Sequence, residues 1–210
     1  TGGFPRFVLC LGYRGDAIRD FFINYRLHTA DCTIDLSGKK PVEYHAGNRE
    51  PWQVTLAETG LGSMTGARVA RVRKYVEDED NFMLTYGDGV GDVNLKELVR
   101  FHEAHGKILT VTGVRPPGRF GEISSDADGV VREFNEKPQA AGGRISGGFF
   151  VCRREIFRYL DPREDLVFEQ EPRRALVADG EMMMYRHDGF WMPMDTSREY
   201  LLLNSLYSRG

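Results

Sequence analysis

The chain has 210 residues, enough for one domain that buries a full hydrophobic core. Its 28 lysines and arginines against 31 acidic residues give a net charge of -3, so no basic field indicates a nucleic-acid-binding protein. No apolar stretch approaches the roughly 20 residues that span a bilayer, and three scattered cysteines suggest neither a disulfide framework nor a zinc site. We therefore expect a cytoplasmic protein without a membrane or nucleic-acid partner.

The first half alternates predicted strands with predicted helices. Apolar or alternating runs predict strands at residues 7–11, 32–36, 42–45, 53–58, 82–86 and 108–114. Apolar side chains at helical spacing predict helices at residues 18–27, 68–75 and 94–105. This order favours an α/β fold with a mainly parallel, mixed sheet flanked by helices.

The second half of the chain does not continue this regular alternation of strands and helices. Strands are predicted at residues 121–125, 130–135, 145–152 and 182–186, the first two forming a hairpin through Asp128-Gly129. Helices are predicted near Glu155, near Glu169 and at about residues 197–206. We expect small antiparallel additions to the sheet here, within a single domain of residues 1–210.

A carboxylate between two glycines follows the strand predicted at residues 82–86. The segment Tyr86-Gly87-Asp88-Gly89 lies where ligands of open α/β sheets collect, beyond the carboxyl end of a strand. Its glycines let the backbone approach a bulky anion, and its carboxylate suits a hard cation such as Mg2+. The same residues are equally typical of an ordinary turn.

Two further loops carry polar residues. Residues 59–66 are rich in glycine and open a helix whose backbone N–H groups would face an anion. Arg68 and Arg71 on that helix add positive charge, although such arginines are usually a solvated face. Glu136-Lys137-Pro138 ends a strand, where the acid and the amine would bind a hydroxyl and a phosphate or form only a surface ion pair.

Three more features of the sequence can be interpreted either structurally or functionally. Gly147-Gly148 inside a strand marks either the approach of a ligand or a β-bulge. Asp195 precedes the last helix, where an Asp is most often an N-cap. His102-Glu103-Ala104-His105 is one residue too short for a metal-binding His-Glu-x-x-His helix, so we expect a half-exposed helix turn.

Eight motifs run along almost the whole chain: Gly12-Tyr13-Arg14-Gly15, Glu50-Pro51-Trp52-Gln53-Val54-Thr55-Leu56, Thr59-Gly60 with Ser63-Met64-Thr65-Gly66, Tyr86-Gly87-Asp88-Gly89, Pro116-Pro117-Gly118-Arg119-Phe120-Gly121, Glu136-Lys137-Pro138, Gly147-Gly148-Phe149-Phe150, and Gly189-Phe190-Trp191 with Pro193-Met194-Asp195-Thr196. Together they resemble the glucose-1-phosphate cytidylyltransferase branch of the sugar-nucleotidyltransferase family. The Glu-Pro-Trp and Pro-Met-Asp-Thr segments are characteristic of that branch, whereas Glu-Lys-Pro belongs to the family generally.

The resemblance implies a Rossmann-like fold and the conversion of CTP and α-D-glucose 1-phosphate to CDP-D-glucose and pyrophosphate, with Mg2+ as cofactor. It also implies a homo-oligomer such as a hexamer, and a supply of deoxysugars for surface polysaccharide. The metal positions correspond to Asp88 and Asp195. The catalytic positions correspond to Asp88, Lys137 and Arg68. Substrate would be bound by Thr65, Gly66, Gly87, Glu136, Ser146, Gly147 and Gly148.

The chain departs from the family pattern at three places. Family members begin with a strand and a glycine-rich loop, and Thr1-Gly2-Gly3-Phe4 aligns after these parts. We expect a piece of the enzyme rather than a natural short form, because loss of the first, central strand would expose two unpaired sheet edges. Ala67 replaces an expected glycine and Ser146 an expected asparagine, which leaves nucleotide and sugar specificity open.

Three other functions compete with this prediction. A related sugar-1-phosphate nucleotidyltransferase would use another nucleotide or another sugar. A glycosyltransferase of the GT-A type would need a paired Asp-x-Asp, and the acids of Asp88-Gly89-Val90-Gly91-Asp92 are too widely spaced for it. A non-catalytic nucleotide-sugar-binding module would keep the fold without turnover.

Overall fold

A computed structural model describes residues 3–45, 50–116, 122–125, 128, 130–135 and 143–209. The strands within these residues are β1 (Arg6–Leu11), β2 (Cys32–Thr33), β3 (Glu43–Tyr44), β4 (Gln53–Glu58), β5 (Asn81–Thr85), β6 (Gly89–Gly91), β7 (Leu109–Val114), β8 (Glu122–Ser125), β9 (Val131–Asn135), β10 (Ile145–Arg153), β11 (Met182–Arg186) and β12 (Trp191–Pro193). The α-helices are α1 (Gly15–Ile23), α2 (Tyr25–Thr29), α3 (Thr65–Arg71), α4 (Leu95–His105), α5 (Glu171–Ala178) and α6 (Ser197–Ser208).

Most predicted elements are present, with differences in the bounds of several, in the type of one helix and in two additional short strands. The helix predicted at residues 18–27 is divided at Asn24, a residue type whose side chain competes with helical hydrogen bonds. Helix α3 begins at Thr65, and a 3₁₀ turn at Arg73–Tyr75 follows it. A 3₁₀ turn at Arg154–Arg158 replaces the helix predicted near Glu155. The sequence did not predict β6 and β12, which have three residues each.

The chain divides into two compact units, and the first comprises the described residues of Gly3–Asp78 and Tyr159–Pro172. Its strands β1 and β4 pair in parallel, from Arg6 opposite Gln53 to Leu11 opposite Glu58. The short strands β2 and β3 pair antiparallel. Its buried apolar side chains come from β1, β4, α3 with the following Val72, and the segment that carries Leu166 and Phe168.

The second unit comprises the described residues of Glu79–Arg158 and Arg173–Gly210. Its main sheet has the order β11-β7-β10-β5, in which β11 is parallel to β7 and β10 is antiparallel to both neighbours. Every residue of β7 is buried, as expected for a β-branched run in the middle of a sheet. Helix α4 packs against this sheet through Leu98, which contacts Val93 and Val151. Burial of one such leucine stabilises the unit by about 1.5–3 kcal/mol.

The sheets confirm the predicted mixed α/β fold, in which parallel and antiparallel pairs are flanked by helices. Strands β8 and β9 form the predicted hairpin. The prediction of a single domain stays a prediction. No helix in the part of the chain that the structure describes is both long enough and apolar enough to cross a membrane.

Two histidines of α4 share one hydroxyl of β7. The Nδ1 of His102 lies 2.8 Å from the Oγ1 of Thr110, and the Nε2 of His105 lies 2.7 Å from the same oxygen. His102 is fully buried, so the half-exposed turn expected there is wrong for this residue. Burial, followed by the charges of His105 and Arg153, lowers the pKa of His102 to about 4. The protein therefore folds with a neutral His102.

We expect the free energy of unfolding to fall with acidification because of His102. Its pKa is about 4 in the folded state and about 6.5 in the unfolded chain, so the unfolded chain binds more protons between these values. The stabilisation is complete above pH 6.5 and is lost as the pH falls toward 4. Urea unfolding should give a value about 2 kcal/mol lower at pH 5 than at pH 8 from this group.

The substitution His102→Gln should remove that part of the pH dependence. The exposed histidine His28 provides the matched control, because His28→Gln leaves the buried cluster untouched. A pH dependence of unfolding that is the same in His102→Gln and in the wild type would contradict the assignment.

Candidate active site

Two short strands bring the predicted metal ligands to neighbouring segments. Asp88 lies in the turn between β5 and β6. Strand β12 pairs antiparallel with β6, and Pro193 stands opposite Gly89. The pairing continues for one residue, because the N–H of Met194 donates to the carbonyl of Asp88 over 2.7 Å. Asp195 follows directly, so two acids that are far apart in the sequence lie on adjoining segments.

Asp195 is not the cap of the last helix. The N-cap of α6 is Thr196, whose Oγ1 accepts a hydrogen bond from the backbone N–H of Glu199 over 3.3 Å. The Glu199 carboxylate in turn accepts from the N–H groups of Asp195 and Thr196, each over 2.9 Å. This capping box satisfies the helix terminus without the Asp195 side chain, so the expected N-cap role for Asp195 is wrong.

The carboxylates of Asp88 and Asp195 are both exposed. Among the residues that the structure describes, neither carboxylate accepts a hydrogen bond or pairs with a cation. Acidic side chains without partners on adjoining segments suit a hard divalent cation, because such a cation offsets their negative charge and prefers oxygen ligands. No group of three or more His, Cys, Asp or Glu side chains within the described residues is placed to hold a metal, so water and phosphate oxygens would complete the coordination.

The paired glycines of β10 form an irregularity beside this turn. The register between β10 and β7 shifts between Ser146 and Phe150, as in a β-bulge. Gly148 has a φ of +77°, a conformation that favours glycine, and its carbonyl accepts from the N–H of Tyr86 over 3.2 Å. The bulge is therefore attached to the residue that precedes Gly87-Asp88. Gly87 itself has open space where a side chain would begin.

Helix α3 of the first unit holds two of the predicted substrate-binding residues, Thr65 and Gly66. The N–H groups of Gly66 and Ala67 both donate to the carbonyl of Leu166, over 2.9 and 3.2 Å. Thr65 Oγ1 donates to Glu169 over 2.7 Å and accepts from the N–H of Phe168 over 2.9 Å. A side chain on Gly66 would meet Leu166, so this glycine permits close packing. Nucleotide binding by Thr65 and Gly66 stays a prediction.

Arg68 and Arg71 do not form a solvated face. Arg68 donates to the Leu11 carbonyl over 2.9 Å and to Thr59 Oγ1 over 2.7 Å, and thereby connects the ends of β1 and β4. Arg71 donates to the carbonyl of Thr59 over 2.7 Å and to that of Pro162 over 3.0 Å. Both guanidinium groups therefore stabilise the loop at residues 59–64. The phosphate role of Arg68 stays a prediction.

The structure thus brings together the segments of Asp88, Asp195 and the Gly147-Gly148 bulge, all in the second unit. Thr65, Gly66 and Arg68 belong to the first unit. The predicted sugar-phosphate residues Glu136 and Lys137 lie outside the described residues.

Sequence reasoning missed a contact made by Trp191. Its Nε1–H donates to the carbonyl of Gly147 over 2.8 Å. The signal was present, because a partly buried tryptophan usually finds an acceptor for its N–H, and Trp191 lies four residues before Asp195. The missing information was the pairing of β6 with β12, which places Trp191 beside the bulge.

A mixed α/β sheet with acidic side chains beyond its strand ends is typical of enzymes that bind phosphorylated ligands through a cation. The chain belongs to the nucleotidyl transferase family, whose family model matches residues 37–208.

Individual relatives of the chain carry more specific names than the family does. The chain is 45% identical over 208 residues to a glucose-1-phosphate cytidylyltransferase of Salmonella typhi, covering 99% of this chain and 80% of that protein. It is 38% identical to a probable glucose-1-phosphate cytidylyltransferase of Bacillus subtilis, with the same coverage. The crystal structure of HddC from Yersinia pseudotuberculosis has the same fold, with a TM-score of 0.62, 17% identity, and coverage of 98% of this chain and 80% of that one.

The capping box predicts different effects on stability for substitutions at Asp195 and at Thr196. Thr196→Ala should lower the free energy of unfolding by about 1 kcal/mol, because α6 loses its N-cap acceptor. Asp195→Asn keeps the backbone N–H that Glu199 binds and should change this value by less than about 0.5 kcal/mol. Urea unfolding measures both. An Asp195→Asn protein as unstable as Thr196→Ala would contradict the assignment of the cap.

Proposed function

We propose that this protein transfers a cytidylyl group from CTP to α-D-glucose 1-phosphate, giving CDP-D-glucose and pyrophosphate. The observation that carries the proposal is the junction of β6 and β12, which sets the Asp88 and Asp195 segments side by side. The identity of the substrates follows the names of the relatives that are 45% and 38% identical. Family membership and paired acids together favour an enzyme over a binding module.

The two carboxylates fit Mg2+ as the cofactor. Both are exposed and lack partners among the described residues, and Mg2+ binds through one or two carboxylates while water and substrate phosphates complete its coordination. Mg2+ held by Asp88 and Asp195 would offset the negative charge that otherwise opposes the approach of two phosphorylated substrates.

The chemistry makes few demands on the protein beyond positioning. An oxygen of the sugar phosphate attacks the α-phosphorus of CTP, a new P–O bond forms, and the bond to the bridging oxygen of pyrophosphate breaks. The attacking oxygen is already anionic at neutral pH, so no general base is required. We assign Lys137 to hold the sugar phosphate and Glu136 to bind sugar hydroxyls. Gly87 and the Ser146-Gly147-Gly148 segment would contact the substrate through the backbone or a hydroxyl.

We also propose a cellular compartment and an oligomeric state for the protein. The three cysteines are free thiols, which favours a reducing compartment such as the cytoplasm. A homo-oligomer is proposed from the resemblance, and light scattering coupled to size exclusion would measure it.

Pyrophosphate release is the direct test of the proposed function. The protein is incubated with Mg2+, glucose 1-phosphate and each of CTP, dTTP, GTP, ATP and UTP. We expect release with CTP and the formation of CDP-glucose. Pyrophosphate release with another nucleotide in place of CTP would contradict the proposed nucleotide. Release only with another sugar 1-phosphate would contradict the proposed sugar. Tight nucleotide binding without release from any pair would indicate a binding module.

Asp88→Asn should lower kcat by about 100-fold or more with the fold intact, because an amide binds Mg2+ far more weakly than a carboxylate. Asp80→Asn is the matched control, since Asp80 is an exposed acid of the same unit that pairs only at the surface with Arg154. The control should keep the wild-type rate. A near-normal rate of Asp88→Asn at saturating Mg2+ would refute the metal assignment.

Lys137→Ala should raise the KM for glucose 1-phosphate by about tenfold, because the phosphate loses a charged partner. The KM for CTP should change much less. Lys96→Ala removes an exposed lysine of α4 and serves as the control. An unchanged KM for glucose 1-phosphate would remove Lys137 from the sugar-phosphate site.

A further inference from the structure

Trp191 connects two parts of the second unit that strand pairing leaves separate. It belongs to β12, which pairs with β6, whereas Gly147 belongs to β10, which pairs with β5 and β7. The indole Nε1–H of Trp191 donates to the Gly147 carbonyl over 2.8 Å. One side-chain hydrogen bond therefore links the strand that leads to Asp195 with the bulge predicted to face the sugar.

The surroundings of this hydrogen bond consist largely of glycine backbone. Gly147 is buried, and a side chain there would meet Val114 at 2.6 Å. A Cβ atom on Gly89 would lie 3.6 Å from both the Gly147 oxygen and the Trp191 Nε1. Close packing against Val114 therefore requires a glycine at position 147, whereas a Cβ atom on Gly89 would make only ordinary contacts with the bonded pair.

The bond also fixes the orientation of a peptide group. In a trans peptide the carbonyl and the following N–H point in opposite directions, so a held Gly147 carbonyl directs the Gly148 N–H away from Trp191. Gly148 has a φ of +77°, and a glycine backbone without such restraint reaches many conformations at little cost. The Tyr86 N–H restrains the Gly148 carbonyl, and the Trp191 indole adds a second restraint at the Gly147 carbonyl.

We propose that Trp191 is a positioning residue for the sugar phosphate, acting through the Gly147-Gly148 peptide. This inference rests on the proposed function. The strand β12 carries Trp191 and leads directly to Asp195, so the metal-binding segment and the sugar-side bulge are held in register by one strand. Loss of the indole N–H leaves the carbonyl without that donor and frees the peptide to reorient.

A purely structural role for Trp191 makes a different prediction. Lost packing would lower the stability of the unit and affect both substrates alike. Lost positioning would raise the KM for glucose 1-phosphate and leave the KM for CTP nearly unchanged. It would also weaken discrimination between glucose 1-phosphate and its epimers, galactose 1-phosphate and mannose 1-phosphate. The split between the two KM values therefore separates the two roles.

The sharpest variant replaces Trp191 with benzothienylalanine, in which sulfur takes the place of the indole N–H and the ring shape is kept. We expect the KM for glucose 1-phosphate to rise by about three- to tenfold, with kcat and the KM for CTP within about twofold of the wild type. Trp191→Phe should show the same direction of change. Unchanged KM for glucose 1-phosphate in both variants, or an equal rise for both substrates, would overturn the inference.

The other tryptophan of the described residues provides the matched control. Trp52 is similarly part-exposed, and its ring contacts are with Phe7 and Tyr25 in the first unit. Trp52→Phe should leave the KM for glucose 1-phosphate within about twofold of the wild type. A rise equal to that of Trp191→Phe would mean that any aromatic substitution perturbs the site, and would count against a specific role for Trp191.

A binding measurement separates this inference from the proposed function. The indole ¹⁵N–¹H resonance of Trp191 is assigned by its loss in Trp191→Phe and followed during addition of glucose 1-phosphate. We expect a shift or a slower solvent exchange of this resonance. That response without CDP-glucose formation would refute the transfer reaction and retain the positioning role. CDP-glucose formation with no response of either the resonance or the KM would refute the positioning role alone, and failure of both would refute both.

Discussion

The pairing of β6 with β12 is the constraint on which the proposed site depends. Three residues on each side hold the two strands together, and the Met194 N–H extends the pairing to the Asp88 carbonyl. The side chain of an aspartate has only one methylene, so metal binding by two such acids requires their backbones to be close.

Hydrogen bonds elsewhere in the second unit leave these acids available. Thr196 and Glu199 accept hydrogen bonds from the backbone N–H groups at the start of α6, so the Asp195 side chain does not serve as the cap. The Trp191 indole N–H donates to the Gly147 carbonyl and satisfies it. The buried strand β7 and helix α4 supply apolar packing to the same unit. Stability and the proposed chemistry are thus assigned to different residues of the same unit.

The sequence predicted those parts of the fold whose signal is long and periodic. Strands β1, β5 and β7 are apolar runs, and α4 and α6 have caps and helical spacing. Strands β6 and β12 escaped prediction because three residues carry no detectable alternation and their pairing is wholly non-local. The motifs led to Asp88 and Asp195 through resemblance. The N-cap interpretation of Asp195 failed because the next residue, Thr196, is also a favoured cap and forms a capping box with Glu199. The burial of His102 and the contacts of Arg68 with Leu11 and Thr59 depend on tertiary packing that local spacing does not encode.

The proposed metal site shared by Asp88 and Asp195 is tested most directly by anomalous diffraction from crystals of the protein grown with CTP and Mn2+, which substitutes for Mg2+ at oxygen ligands. We expect one anomalous peak within about 2–2.5 Å of a carboxylate oxygen of both Asp88 and Asp195. A peak bound to other side chains, or CTP bound with no peak between these two acids, would contradict the shared site.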